Sequence, residues 1–422
     1  PTLGPRTMFA GLETLLPGET RVYDAASSGP PRVLDAWSAG GTVGAGPAGP
    51  GGTREIVAES VRSHLRSDVP TCALLSGGLD SAAMVSVIRA ASDGPLNTYC
   101  AGARLPGADD DFAFGSEMAR LLDTNHTEVE VTEDGFVERW FELVHRTGVP
   151  VSTPNEIAIY EVSRRLRADG YVVALSGEGA DELFGGYGPP LMQAAQRVAS
   201  LGGRPETEGG LFHLMSNAWI TPGERAGLVG DGLTPPDADA AAAEAYRVAF
   251  DRVSAAAPGD SPLQAHLRFH RAMNLPNLLR RLDSTTMLAS VEGRTPFADA
   301  RVARFAETLP MRSKFEPGDP PRTKIALRDA FRADLPRGVV DRPKASFPLP
   351  FQAWMSRPAL ALGDGDFARR VLGPDAAGVL ANPAGAWRAA WPLLNLLMWG
   401  ERWWGRGLEQ GMSGAGLRNA VA

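Results

Sequence analysis

The spacing of apolar side chains divides the chain into a regular stretch and a less regular one. Ile56, Val57, Val61 and Leu65 recur at helical intervals and predict a helix over about 54–67. Short apolar runs at 71–75, 96–101, 127–131 and 171–175 have the length and composition of strands. Between them the pattern returns to helical spacing at 81–91, 112–122 and 156–168. Strands alternating with helices in this way predict an α/β fold, a parallel sheet covered by helices on both faces. Beyond Gly188 the pattern is mainly helical. The segment from about 202 to 262, rich in Ala, Gly, Pro and acids, reads as a helical insertion, and AWRAAWPLLNLLMWGERWWGRGL at 386–408 sets five Trp among Leu and Met as a packing helix rather than a cofactor box. Residues 1–50 carry short extended pieces, and SAGGTVGAGPAGPGGT at 38–53 reads as a linker.

Composition narrows the function. A length of 422 residues suggests roughly two domains or one large α/β domain with appendages. The formal charge of -7, with no Lys/Arg-rich block, supplies no basic field for nucleic acid. No run reaches the roughly 18 apolar residues of a membrane span, and no basic stretch followed by an apolar core marks a signal peptide. Only two cysteines, Cys72 and Cys100, occur, both in strand-like runs, which fits small buried fillers in a reducing cytoplasm. Pro at position 1 hints that a start Met, or more, is missing. Of 42 basic residues only Lys314, Lys324 and Lys344 are lysines, all within one 31-residue window. A compact ammonium suits a crowded phosphate site, although Lys314 reads equally well as plain solvent-facing charge.

Two turns carry the chemistry. ALLSGGLDSAAM at 73–84 ends an apolar run in two glycines and opens a helical stretch with an acid and a hydroxyl. It lacks the spacing and the Lys of the Walker loop. Its glycines allow main-chain N–H groups to approach an anion, while Ser76, Ser81 and the helix start add donors for a pyrophosphate. Asp80 makes sense there only beside a divalent cation such as Mg²⁺ bridging it to phosphate oxygens. ALSGEGADEL at 174–183 repeats the design, with Glu178, Asp181 and Glu182 beside Gly177 and Gly179. Consecutive parallel strands bring both turns to one edge of the sheet, where ligands of such sheets bind. A metal shared by Asp80 and Asp181, with Glu178 free to accept a proton, suits nucleotidyl transfer followed by attack of an amine.

SGGLDS at 76–81 resembles the PP-loop of N-type ATP pyrophosphatases, and LSGEGADELFGGY at 175–187 resembles the second signature of class B asparagine synthetases. The stretch DDDFAFGSEMARLLDTNHTEVEV with His126, then LDSTTMLASVEGRTPFADARV at 282–302, RTKIALRDAF, LPRGVVDRPKASFPLPFQAW and the Trp-rich helix resemble the same family in order, covering about 54–405. The resemblance implies the PP-loop α/β fold, with a sheet of the five-stranded type and a mainly helical C-terminal part. It implies that Mg-ATP is cleaved between its α and β phosphates, that AMP is passed to a carboxylate, and that a nitrogen nucleophile displaces AMP. By the same likeness Ser76, Gly77, Gly78, Asp80 and Ser81 hold pyrophosphate and metal, Leu75, Ser176 and Gly177 lie at the nucleotide, and Asp181 is a second Mg²⁺ ligand. Glu178 and Lys344 take the catalytic roles, Lys324 is structural or an outer phosphate contact, Glu182 stands on the substrate side, and Glu292 and Arg294 stand on the substrate side or in packing.

The family's usual partner is a glutamine-hydrolysing domain that begins with a nucleophilic Cys. PTLGPRTMFAGLETLLPGETRVYD resembles only the closing strands of that domain. The implied organisation is a remnant plus linker over 1–50, a ligase domain over 51–408 and a flexible tail over 409–422. FAD stands where the family has Phe-Leu-Asp and KASF where it has Lys-x-Gly-Phe, which leaves the acceptor open. The implied partners are a small-molecule or peptide carboxylate, ammonia or an amine, a separate glutaminase or carrier protein, and a second copy in a homodimer. Three functions follow: an intermolecular amide ligase of specialised metabolism such as antibiotic biosynthesis, an intramolecular ligase closing a β-lactam or macrolactam, or a nucleotide-binding adapter for a glutaminase.

Overall fold

Five parallel strands form the central sheet of the computed structural model, which describes residues 7–9, 11–25, 29–34, 50–92, 94–104, 111–230, 237–342, 344 and 349–404. A short antiparallel pair, β1 (Thr20–Val22) and β2 (Arg32–Leu34), precedes it. The sheet comprises β3 (Thr71–Leu74), β4 (Asn97–Gly102), β5 (Asn125–Glu130), β6 (Val173–Leu175) and β7 (Glu292–Arg294), in the spatial order β5-β4-β3-β6-β7. The chain runs outward from β3 to β5 and returns to the other side of β3, so the order reverses between β3 and β6. Such a reversal opens a crevice at the C-terminal ends of the strands. The register sets Cys72 beside Ala174 and Ala73 beside Leu175, which aligns the two glycine-rich turns that follow.

Helices α1 (Pro50–His64), α2 (Leu79–Ala90), α3 (Asp111–Leu121), α4 (Glu133–Thr147) and α5 (Asn155–Ala168) join the first strands. One face of the sheet packs Val57, Val61, Met84, Val85 and Met118 into a core completed by Phe297 and Phe331. On the other face α4 and α5 pack against the last helix among the described residues, Trp387–Trp404, with Trp140 stacked on Trp391 at 4.4 Å between ring centroids. The Trp-rich stretch is thus a packing element, as its composition predicts. Within this core Asn395 is 1% exposed; its Oδ1 accepts from Trp140 Nε1 and from the Val151 N–H, each at 2.9 Å.

Element ends move by a few residues from the sequence expectation, and α4 and β7 are among the elements additional to it. Helix α4 buries Phe136, Val137, Trp140, Leu143 and Val144, is capped by Thr132 and ends on Gly148 at φ 70°. Strand β7 has only three residues, Glu-Gly-Arg, recruited by pairing with β6. Helices Gly209–Asn217, Pro222–Leu228 and Ala238–Ala255 fill the expected insertion. Most of the expected linker and the tail after residue 408 lie outside the described residues. Among the described residues no helix is long and apolar enough to cross a membrane.

Asn395→Leu leaves two buried N–H donors without an acceptor, at a cost of about 2–4 kcal/mol. The expected outcome is a lower urea midpoint with an unchanged slope, read by tryptophan fluorescence.

Candidate active site

Each turn is shaped by contacts that leave no room for a side chain. Gly77 has φ +73°, and a Cβ there would lie 2.5 Å from the carbonyl carbon of Phe114. The chain therefore bends sharply after β3 and enters α2 with Gly78 as an N-cap that supplies no side chain. Ser81 folds back across the bend. Its hydroxyl donates to the Gly78 carbonyl at 3.1 Å, accepts from the Ser76 N–H at 3.3 Å and lies 3.4 Å from Ser76 Oγ. The start of α2 thus presents main-chain donors and two hydroxyls to one point, a setting suited to an anion.

The second turn leaves β6 at Leu175 and enters α6 (Ala180–Phe184) through Gly179 at φ +100°. A Cβ on Gly177 would stand 3.2 Å from Asp80 Cβ and from the Ser81 nitrogen, so the two turns touch there. At Gly179 a Cβ would lie 3.1 Å from the nitrogen of Ala298, which sets the Phe-Ala-Asp variation directly behind this turn. A Cβ on Gly186 would overlap both Asp181 Oδ1 and Lys324 Cε.

Opposite charges alternate across the touching turns. Lys324 Nζ donates to Asp80 Oδ1 at 2.8 Å and to Oδ2 at 2.6 Å, and lies 2.6 Å from Asp181 Oδ1 as an ion pair. Lys344 Nζ pairs with the other oxygen, Asp181 Oδ2. Lys324 is 5% exposed and stands in the left-handed region, φ 50°, at the start of the helix Ile325–Phe331. Burial acts against charge on every member. At Asp181 it is outweighed by Lys324 and Lys344, which hold the carboxyl at about 2. At Asp80 burial prevails over Lys324, with the charge of Asp181 adding to it, and the carboxyl is pushed up. Despite burial, Asp181 and Asp80 hold the Lys324 ammonium above the usual lysine range. Buried acids this close persist only when a cation offsets them. The sequence reading assigns that place to a metal; in this structure the bridging cation is Lys324, read from the sequence as structural or an outer phosphate contact.

The donor set remains compatible with Mg²⁺. Among the described residues no group of three or more His, Cys, Asp or Glu forms a self-sufficient metal cage. Two carboxylates facing an open cleft suit Mg²⁺, which would complete its shell with phosphate oxygens and water. Each carboxylate also has more acceptor sites than a single ammonium uses.

Around this lattice lies a cleft of about 270 Å³. Leu75, Ser76, Gly78, Asp80, Ser81, Ser176, Gly177, Glu178, Asp181, Lys324 and Lys344 all line it, with Gly77 shaping the bend beneath. Its apolar wall comes from Ala158, Ile159 and Val162 of α5 and from Leu278 and Leu282 of the long helix Pro262–Leu288. From that helix Arg281 reaches Glu178 Oε1 at 2.7 Å and Thr153 Oγ1 at 3.1 Å. Sequence reading missed Arg281, which directly precedes the quoted LDSTTM stretch, and gave no role to Tyr187, the last residue of the second signature. Arg328 and Arg342, also on the lining, fall within the RTKIALRDAF and LPRGVVDRPKASFPLPFQAW motifs but had no role assigned.

Four residues singled out in the sequence stand outside the cleft lining. Glu292 and Arg294 do not reach the cleft: Arg294 pairs with Glu292 at 2.8 Å and donates to the carbonyls of His64 and Arg66, tying β7 to the end of α1. Their polar side chains serve sheet packing, the alternative weighed for them. Glu182, on α6 itself, is 1% exposed, lines a small cavity apart from the cleft, and accepts from the Tyr187 hydroxyl at 2.6 Å. Lys314 is not solvent-facing but 2% exposed, beside Glu182, Gln264 and Glu307 in a small cavity.

Burial, reinforced by Asp181, raises the Glu182 carboxyl to about 7. A carboxyl raised in the folded state contributes stability fully present below pH 4.5 and lost as pH rises through 7. Glu182→Gln keeps an acceptor for Tyr187 and removes that loss. The variant is expected to exceed the parent in stability at pH 8, by on the order of 3 kcal/mol at most, with the difference vanishing toward pH 5. Denaturant titrations of both proteins across this range check the sign.

A sequence profile described as asparagine synthase matches residues 52–399. A putative glutamine-hydrolysing asparagine synthetase of Mycobacterium tuberculosis is 30% identical over 364 residues, covering 79% of this chain and 52% of that protein. Asparagine synthetase 1 of Bacillus subtilis is 28% identical over 330 residues, covering 72% and 50%. Asparagine synthetase B of Escherichia coli is 35% identical over 153 residues, 32% of this chain and 26% of that enzyme. The chain spans about half the length of the first two. With the profile matching most of its length, the chain belongs to the asparagine synthase family.

Proposed function

We propose that this protein is an ATP-dependent amide ligase that adenylates a substrate carboxylate and passes it to ammonia or an amine. The observation that carries the reading is the alternation Asp80, Lys324, Asp181, Lys344 across two touching glycine turns at the mouth of one cleft. Such a lattice has no packing rationale of its own, because an apolar cluster of similar volume would be at least as stable. It suits a polyphosphate whose charge must be neutralised while an internal phosphorus is attacked. Membership of the asparagine synthase family supports the same chemistry.

In this reading the acceptor carboxylate attacks the α-phosphorus, the bridging α–β P–O bond breaks, and pyrophosphate departs. The Ser76–Ser81 turn binds the leaving group through main-chain N–H groups and two hydroxyls, and Lys344 neutralises charge on the phosphates. Mg²⁺, held by Asp80 and Asp181, would supply further neutralisation across the phosphate oxygens. Lys324 keeps the two acids together at the cleft. The nitrogen lone pair then attacks the acyl carbon, the C–O bond to AMP breaks, and Glu178 accepts the proton lost by nitrogen. Arg281 fixes the Glu178 carboxylate. The apolar wall of α5 and the long helix excludes water from the acyl-adenylate.

Incubation with Mg-ATP, a panel of carboxylic acids and hydroxylamine is expected to yield acid-dependent pyrophosphate, AMP and hydroxamate. Release of ADP and orthophosphate would overturn the reading, and ATP binding without pyrophosphate under any acid would favour the adapter. A product that loses water internally without added amine would identify the ring-forming reaction.

Variants separate the two half-reactions. Lys344→Met is expected to slow pyrophosphate release by roughly 10²-fold or more, the scale of removing one charge-stabilising donor. Glu178→Gln is expected to retain acid-dependent exchange of labelled pyrophosphate into ATP, while amide formation falls by about 10²–10⁴-fold.

A further inference from the structure

We infer that Tyr187 is a positioning residue for Lys344: its ring is the seat that holds the Lys344 ammonium over the cleft, and the Glu182 carboxyl and His270 ring hold that seat in place. The inference rests on the role given above to Lys344.

Tyr187 closes the second signature, directly after Gly185 and Gly186, and its side chain lines the cleft. Lys344 Nζ lies 4.4 Å from the ring centroid while pairing with Asp181. The ring is fixed by independent contacts. Its hydroxyl donates to Glu182 Oε1 at 2.6 Å, and Glu182 is anchored on α6, the same short helix that carries Asp181. The ring of His270, from the long helix, packs against it at 5.2 Å with an interplanar angle of 53°. A hydroxyl tether at one end and a neighbouring ring leave Tyr187 little freedom to turn.

The need for a seat follows from the chemistry of lysine. Its flexible stem carries a point charge with no fixed direction, and its rotamer entropy opposes any single placement. The side chain of Lys344 is 31% exposed, so water competes for it. Asp181 alone is an inconstant anchor, because a metal nucleotide draws on the same carboxylate. An aromatic face attracts the ammonium without neutralising it and without occupying a phosphate oxygen. Tyr187 therefore lets Lys344 exchange Asp181 for phosphate while staying at the mouth of the cleft.

The test is a double-mutant cycle on binding of Mg²⁺ with α,β-methylene-ATP, which blocks cleavage between the α and β phosphates, measured by calorimetry on the full chain. Tyr187→Phe retains the ring and is expected to bind within about threefold of the parent. Tyr187→Leu and Lys344→Met are each expected to weaken binding on the order of tenfold. The double variant Tyr187→Leu/Lys344→Met should bind no more weakly than Lys344→Met alone, since residues acting through one another are not additive. A residue that merely supports the fold would weaken binding additively, and that outcome, or parental affinity for Tyr187→Leu, overturns the inference while leaving the role of Lys344 intact. Parental affinity for Lys344→Met removes both. Thermal unfolding of Tyr187→Leu, Lys344→Met and the double variant, each folded at the temperature of the titration, keeps the comparison free of folding defects.

Discussion

The ammonium of Lys324, set between the carboxylates of Asp80 and Asp181, is the interaction on which the remainder of the site depends. The two acids sit on turns so close that a Cβ on Gly177 would lie 3.2 Å from Asp80 Cβ, a tight fit. Without a cation between them their repulsion in a poorly solvated pocket would push the tips of β3 and β6 apart. Lys324 comes from a third region of the chain, at the entrance to the helix Ile325–Phe331. On the next turn of that helix Arg328 donates to the carbonyls of Thr323, Val340 and Arg342. One short helix therefore fixes both the bridging ammonium and the stretch that leads to Lys344.

The cleft has two halves with different physical characters. At the strand tips it is crowded with charge and glycine; behind them it is walled by aliphatic side chains from α5 and the long helix. Electrostatic interactions gain strength where water is scarce, so the wall adds to the effect of the charged rim. Glu178 stands where the halves meet, held by Arg281 from the wall side and by the α6 turn from the rim side.

What the sequence revealed of this arrangement was the part governed by the backbone. Two strand-glycine-acid-helix turns were legible because a sharp turn demands glycine whatever surrounds it, and the alternation of periods made the parallel sheet legible as well. Helix α4 carried a readable signal too, in the spacing of its buried residues between Thr132 and Gly148. Strand β7 did not, since Glu-Gly-Arg has no strand pattern and exists as a strand only through its partner β6. The place of Lys324 and the partnership of Arg281 with Glu178 were equally hidden: each depends on side chains more than a hundred positions apart meeting in space. Glu292 and Arg294 stayed open between a substrate-side and a packing role for the opposite reason. A charged pair at the end of a strand resembles a functional pair until its partners, here main-chain carbonyls beside α1, are known.

Asn395 gives the aliphatic wall an unexpected dependence. Its side chain accepts from the Val151 N–H, 244 positions earlier in the chain and a few residues before α5, and Trp391 donates to the Ser152 carbonyl in the same loop. During synthesis, then, the strand tips and their glycine turns emerge long before the segment that braces α5. The back of the pocket is thus braced only once the helix Trp387–Trp404 has been made and docked, and a chain that stops short of it has the charged rim without a firm floor behind it.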